Sequence, residues 1–216
     1  MLRNYLKIAL RNLFRHKAYS VINIAGLAIG MASSIIIFLW VQHERSFDRF
    51  HEKAGSIYRI IGRAGDFDFA VNPAGMPEGL QAELPAIHST VRVSHPQSAT
   101  LAVGDKKFEE KKIFFVDSTF FRIFDFRLLK GNPDQALQRS DAIVLTRSAA
   151  KKYFGAADPM GQVLRRDNKK DLVVTGILED VPGNSHLQFD MLIPLSHFRQ
   201  DYRDLREKVW DNFDYY

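Results

Sequence analysis

The chain has 216 residues, 46% of them hydrophobic and 12% aromatic, which is enough for one folded core and excludes a disordered chain. It contains no cysteine, which excludes disulfide scaffolds, thiolate zinc sites and cysteine nucleophiles. Residues 1–18 hold five basic residues and no acid, and the other 25 Lys and Arg match the 25 Asp and Glu, so the excess charge of +5 lies in this leader. Because nucleic-acid-binding proteins usually carry positive charge on the folded domain itself, we expect no nucleic-acid partner.

Residues 1–18 predict a basic, amphipathic leader on the cytoplasmic side of a membrane. Leucines recur there at helical spacing beside the basic residues Arg3, Lys7, Arg11, Arg15 and Lys17. A helix of this kind can lie in the headgroup layer with its basic side chains on anionic lipids, so membrane lipids are an expected partner. Since the segment is short, a positive flank without helical order is the alternative.

Residues 19–41 predict a transmembrane helix. No charged residue occurs between Ala18 and Gln42, and a helix over 19–41 would be about 34 Å long, against a hydrocarbon core of about 30 Å. A cleavable signal peptide is the alternative, but its apolar core is usually shorter and is followed by small residues. Here the run ends in Trp40-Val41-Gln42-His43, which favours an uncleaved anchor. The basic leader places the N-terminus inside and everything after residue 42 outside.

One face of this helix carries small and polar residues, namely Asn23, Gly26, Gly30 and Ser33. The two glycines allow close approach of another helix, and Asn23 could hydrogen-bond across the contact. This face predicts helix packing in the membrane. The alternative is that small residues are simply common in membrane helices.

The stretch HERSFDRFHEKAG (43–55) raises the question of a metal or catalytic site. His43 and His51 are eight residues apart, about 12 Å along a helix or about 26 Å along a strand, so they cannot share one ion. Opposite charges and aromatic residues at helical spacing instead predict a solvated helical stalk over residues 42–54.

Residues 55–216 predict an α+β domain with a mixed sheet, because short strands and short helices alternate irregularly. Predicted elements include strands over 56–63 and 142–146, a helix over 147–155 and a hairpin over 162–178. Walker, dinucleotide-binding, HExxH and GxSxG motifs are absent from the sequence. Ser185, His186 and Asp190 lie too close together in sequence to form a triad, and a turn is favoured. We therefore expect no catalytic, cofactor-binding or metal-binding residues.

Five blocks of the chain together resemble the MacB/FtsX-type permeases of ABC transporters, in particular their branch in Bacteroidetes-like bacteria. Arg147 departs from the family, which often has an acidic residue there. The blocks occur in the family's order and are ALRNLFRHKAYSVINIAGLAIGMA (9–32), FDRFHEKAGSIYRI (47–60), FFVDSTFFRIFDFRLLKGNPDQAL (114–137), IVLTRSAAKKYFGAADPMGQVL (143–164) and VTGILEDVPGNSHLQFDMLI (174–193).

The resemblance implies one transmembrane helix in the bacterial inner membrane, then a MacB-like periplasmic core domain with a porter-like part, incomplete at its C-terminus within residues 55–216. It implies a permease subunit that is not itself an enzyme and binds no cofactor. The implied partners are a separate ATP-binding subunit, a second permease copy or homologue in a dimer, and a periplasmic adaptor.

The implied function is mechanical: ATP hydrolysis by the partner subunit drives export, extraction or signalling work in the periplasm. We hypothesise that Phe47 and Phe50 pack the stalk and transmit this motion. A single-span, membrane-anchored periplasmic sensor or binding module is the main alternative. An anchored enzyme is disfavoured because no site assembles in the sequence.

Overall fold

The computed structural model describes residues 2–198 and Tyr215. The chain divides into two compact units, Met1–Phe47 and Asp48–Tyr216. The first unit is helical and the second contains all the strands of the described residues.

The first unit consists of two helices, α1 (Leu2–Arg15) and α2 (Lys17–Glu44). The helical leader expected from the sequence is thus present as α1. Helix α2 has 28 residues, none of them buried, and is about 42 Å long. It is long and apolar enough to cross a membrane, and within residues 2–198 no other helix meets that test.

In its described residues, the second unit combines nine strands with short helices. A 3₁₀ turn over Ala54–Ser56 precedes the first strand, and a second follows the last strand at Leu195–Phe198. The helices are α3 (Met76–Glu83), α4 (Phe120–Ile123) and α5 (Arg147–Phe154). The strands are β1 (Gly62–Ala64), β2 (Phe67–Phe69), β3 (Gln97–Val103), β4 (Lys106–Val116), β5 (Leu128–Lys130), β6 (Ala142–Thr146), β7 (Val163–Arg166), β8 (Lys170–Leu178) and β9 (Met191–Pro194).

Strands β1 and β2 form a separate hairpin, and the other seven form one mixed sheet in the order β5-β8-β6-β9-β4-β3-β7. The pairs β4–β9 and β6–β8 are parallel and the rest are antiparallel. Because β7 pairs with β8 as well as with β3, six of the strands close into a ring. The α+β class with a mixed sheet is confirmed, whereas the closure was not predicted.

Both faces of β6, of β9 and of the last four residues of β4 are buried, which explains the apolar runs AIVLT, MLIP and IFFV. Along β4, Ile113 and Phe115 enter one hydrophobic cluster while Phe114 and Val116 enter the other. Strands β6 and β9 divide their side chains in the same alternating way, as the two-residue period of a strand requires. The second cluster is rich in phenylalanine and includes Phe120.

Several local predictions are confirmed by the structure. The strand over 142–146 is β6, and the hairpin over 162–178 is β7–β8. Its three-residue turn over 167–169 includes Asp167 and Asn168, whose φ values of 51° and 56° are the left-handed geometry that Asp and Asn tolerate. The strand predicted over 56–63 is wrong in extent, because pairing begins only at Gly62.

Candidate functional site

The segment that follows α2 is not a continuation of the helix. Helix α2 ends at Glu44, and the Ser46 hydroxyl donates to the carbonyl of His43 over 2.6 Å. Asp48 has a φ of +54°, which an α-helix cannot accommodate. The predicted helical stalk over 42–54 is therefore wrong beyond Glu44, and residues 45–53 form consecutive turns.

Asp48 attaches this segment to the second unit. Its backbone N–H donates to the carbonyl of Asn184 over 2.9 Å. Its carboxylate accepts the backbone N–H of His186 over 3.0 Å and lies 2.6 Å from the Nδ1 atom of that histidine. These contacts fix the positive φ, since they use both the main chain and the side chain of Asp48.

His51 makes the second attachment and is only 5% exposed. Its Nδ1 accepts the backbone N–H of Asp125 over 3.0 Å. The imidazole ring packs between phenylalanines, with centroid distances of 4.1 Å to Phe50, 5.4 Å to Phe124 and 5.3 Å to Phe126. His51 thus sits in an aromatic pocket of the second unit and not on a solvated surface.

The two residues after His51 complete the attachment. The Glu52 N–H donates to the Asp125 carboxylate over 2.9 Å, and the Lys53 ammonium reaches the carbonyl of Arg122 at 3.4 Å. We call residues 48–53 the docking segment. It contacts the loop between α4 and β5 and the loop between β8 and β9, so it is an integral part of the second unit.

The electrostatics of the pocket keep His51 neutral. Burial lowers the pKa of His51 below its ordinary value of 6.5, and the negative charges of Asp125 and Asp48 oppose this only in part. A neutral ring is also what the geometry demands, because Nδ1 must carry a lone pair to accept the Asp125 N–H.

The residues considered for metal binding or catalysis either belong to different units or have structural partners. His43 belongs to the first unit and His51 to the second. Throughout residues 2–198 and at Tyr215, no group of three or more His, Asp or Glu side chains is placed to hold a metal ion. His186 binds Asp48, while the Ser185 hydroxyl accepts the N–H of Leu187, so Ser185 and His186 have structural partners.

Phe47 and Phe50, the predicted stalk-packing residues, fall in different units. The Phe47 ring contacts the His43 ring at 5.3 Å, within the first unit. The Phe50 ring contacts Phe126 at 5.5 Å and packs against the phenylalanine-rich cluster. Their role in transmitting motion stays a prediction.

On α2, the predicted helix-packing face forms a shallow groove. Its lining includes Asn23, Gly26 and Gly30, with Ser34 rather than Ser33 beside them. Ser34 lies one turn beyond Gly30 and donates its hydroxyl hydrogen to the Gly30 carbonyl over 2.9 Å, which holds its side chain along the groove. Nothing lies within 4 Å of the Cβ position of either glycine, so the groove is open.

The basic residues of the leader occupy the first unit. Lys7, Arg11 and Arg15 are exposed on α1, and Lys17 is exposed at the start of α2. Arg3 also lies on α1, but its side chain is outside the described part of the chain. Their contact with lipid stays a prediction.

Sequence reasoning missed the partners of the docking segment. Asp48 and His186 are 138 residues apart, and Asp125 is 74 residues from His51. A buried histidine in a charged stretch has no sequence signature, because its burial depends on phenylalanines supplied by another part of the chain. The FDRFH spacing, with aromatic residues on either side of charged ones, was the one available signal.

A candidate membrane-spanning helix followed in sequence by a mixed α/β domain defines the class of the protein: a folded domain with one candidate transmembrane helix. The family model of the MacB-like periplasmic core domain matches residues 20–213. The chain therefore belongs to the MacB-like periplasmic core domain family, which is found in permeases of ABC transporters.

Three solved structures are similar to parts of this chain. A crystal structure of a domain from a Porphyromonas gingivalis protein described as a permease is 26% identical, with a TM-score of 0.59 over 68% of this chain and 67% of that one. The periplasmic region of MacB from Actinobacillus actinomycetemcomitans is 21% identical, with a TM-score of 0.45 over 59% of this chain and 58% of that one.

The extracellular domain of the ABC-type transporter YknZ from Gram-positive bacteria is 18% identical, with a TM-score of 0.45 over 67% of this chain and 71% of that one. No curated protein is similar enough to this chain to count as a match.

Proposed function

We propose that this chain is the N-terminal part of an ABC-transporter permease subunit whose periplasmic domain is moved by its first membrane helix. ATP is hydrolysed by a separate cytoplasmic subunit, and the periplasmic domain performs export, extraction or signalling work. Family membership and the likeness to a domain described as a permease support the transporter part. The docking segment supports the mechanical part.

The observation that carries the mechanism is the short distance in sequence between α2 and the docking segment. Only Arg45, Ser46 and Phe47 separate the end of the helix from Asp48, where attachment to the second unit begins. Four residue steps span at most about 14 Å. Once residues 45–47 are fully extended, any further displacement of the helix end moves the domain. The reason is that three hydrogen-bond contacts bind residues 48–53 to the rest of the second unit.

The first unit provides surfaces for the other partners. The open groove around Gly26 and Gly30 suits a helix of a second permease copy or homologue, because small residues permit close backbone approach. The basic face of α1 suits anionic lipid on the cytoplasmic side of the bacterial inner membrane. A periplasmic adaptor is a further partner on the domain side.

The test uses the full permease with its ATPase subunit in lipid nanodiscs. The 216 residues contain no cysteine, so once any cysteines elsewhere in the complex are replaced, Ser118→Cys at an exposed position can carry a fluorescent probe that reports ATP-driven movement of the domain. We expect Phe47→Ala with Phe50→Ala to abolish the ATP-dependent change in fluorescence and export, while ATP hydrolysis continues.

Phe67→Ala is the matched control, because Phe67 lies in the second unit and is 79% exposed. It should leave both the fluorescence change and hydrolysis unaltered. Phe50→Leu keeps an apolar side chain against the cluster and should restore part of the response. An unchanged fluorescence response and unchanged export in the double alanine variant would contradict the proposal.

A further inference from the structure

The docking segment is attached to the second unit at two ends that differ in their hydrogen-bond chemistry. At one end, the Asp48 carboxylate accepts hydrogen bonds from His186. At the other end, the neutral Nδ1 of His51 accepts the N–H of Asp125. A proton on the Nδ1 of His51 would replace the lone pair that accepts the Asp125 N–H.

A protonated His51 cannot keep the observed arrangement. Its Nδ1–H would point at the Asp125 N–H, and two donors 3.0 Å apart repel each other. The cation would also attract the Asp125 carboxylate, which at present accepts the N–H of Glu52. Protonation therefore disrupts two neighbouring hydrogen bonds together.

The aromatic surroundings add to this cost. Phe50, Phe124 and Phe126 border the ring and offer no hydrogen bonds to an imidazolium. Two carboxylates face His51 from either side, namely Asp125 after α4 and Asp48 on its own segment, and both favour the charged ring. The remaining charged groups of these elements are Arg49, Glu52, Lys53, Arg122 and Arg127, and His186 contacts Asp48.

We propose that His51 is a pH-sensitive attachment point: when it is protonated, the His51 end of the docking segment separates from the loop at Asp125, while the Asp48 end stays bound at His186. The domain would then be less firmly connected to the membrane helix in an acidic periplasm. Only this last consequence rests on the proposed function, because separation of the segment can be measured without transport.

The sign of the pH dependence follows from burial. Because burial lowers the pKa of His51 in the folded protein, its neutral form contributes stability that is fully present above about pH 6.5. That contribution decreases as the pH falls from 6.5 through the lower pKa of the folded state. Attachment should therefore be complete at pH 8 and weakened at pH 5.

Hydrogen–deuterium exchange of the full chain in detergent micelles tests the proposal at single-residue resolution. Between pH 8 and pH 5, the protection factors of the Asp125 and Glu52 amides should fall about tenfold or more. The amides of Asp48 and His186 are an internal control at the other end of the segment and should keep their protection. Exchange at the imidazole carbon gives the titration midpoint of His51 in the same samples.

Two variants separate titration from packing. His51→Asn places an amide oxygen near the position of Nδ1 and cannot be protonated, so the Asp125 amide should be protected at both pH values. His51→Phe keeps an aromatic ring without an acceptor, so protection of Asp125 should be low at both.

The proposal is overturned if protection of Asp125 in the parent chain is equal at pH 8 and pH 5, or if its loss occurs at a midpoint different from that of His51. It is also overturned if His51→Asn loses protection on acidification as the parent does. None of these outcomes depends on transport, so they leave the proposed function to its own test.

Discussion

Helix α2 and the six-stranded ring contain similar apolar residues and treat them in opposite ways. Leu27 on α2 is 64% exposed, while Leu145 on β6 is completely buried. The ring places its apolar side chains in two clusters inside the second unit. No residue of α2 is buried in a core of the described chain. This is expected of a helix whose apolar surface faces lipid or packs against another helix. The same substitution should therefore change the free energy of unfolding of the domain more in the ring than in α2.

The largest expected difference concerns leucine. Leu145→Ala removes a fully buried side chain and should lower the free energy of unfolding of the domain by about 2–5 kcal/mol. Leu27→Ala should change it by less than about 0.5 kcal/mol. Pulse proteolysis of the full chain in micelles across a urea series measures both. Equal effects of the two substitutions would show that α2 contributes to the folding of the domain and would contradict the difference between the two regions.

Glycine provides the second contrast. Gly131 has a φ of +99°, and a Cβ built there would lie 2.6 Å from the carbonyl oxygen of Thr175 on β8. Gly131→Ala should therefore cost about 2 kcal/mol. Gly26→Ala, at a position with nothing within 4 Å, should leave unfolding of the domain unchanged and slightly favour the helix. The same urea series measures both variants, and a stable Gly131→Ala variant would show that β8 can move aside.

The smallest contrast concerns tyrosine. Tyr153 is 2% exposed, and its hydroxyl donates to the Glu110 carboxylate over 2.6 Å. Burial, together with that carboxylate, raises the pKa of Tyr153, so its hydroxyl remains a donor. Tyr153→Phe should lower the free energy of unfolding by about 1.5 kcal/mol. The buried Glu110 carboxylate would lose the hydrogen bond from Tyr153 and keep the one from the Lys152 ammonium.

Tyr19→Phe on α2, where Tyr19 is 76% exposed, is the control and should have no measurable effect on the domain. Loss of stability in this variant alone, with Tyr153→Phe neutral, would reverse the ranking of the two regions.

Prediction from sequence succeeded where a local pattern is sufficient. The strand AIVLT of β6 was predicted with its observed bounds, since a short apolar run with turn residues on both sides has few other solutions. The hairpin over 162–178 was predicted with its turn around Asp167-Asn168, and both residues have the left-handed backbone that Asp and Asn tolerate. The α2 helix was predicted from the charge-free run, and its observed ends lie two or three residues beyond the predicted ones.

Prediction failed where a residue's partner is remote in sequence. The stretch after α2 has helical spacing, yet the hydrogen bonds of Asp48 to Asn184 and His186 outweigh one further helical turn. Closure of the sheet depends on the contact of β7 with β3, which is limited to Leu101, Ala102, Arg165 and Arg166. No pattern within either strand specifies that pairing.

The sequence by itself determined the apolar helix α2, the position of the excess positive charge, strand β6, the β7–β8 hairpin and the family. These follow from hydropathy, period and residue type, which act over a few neighbouring residues. Only the tertiary structure decided that His51 is buried and neutral, that Asp48 binds His186, and that the charged stretch after the helix is part of the domain. Those outcomes depend on desolvation and on hydrogen bonds between segments that meet only when the chain has folded.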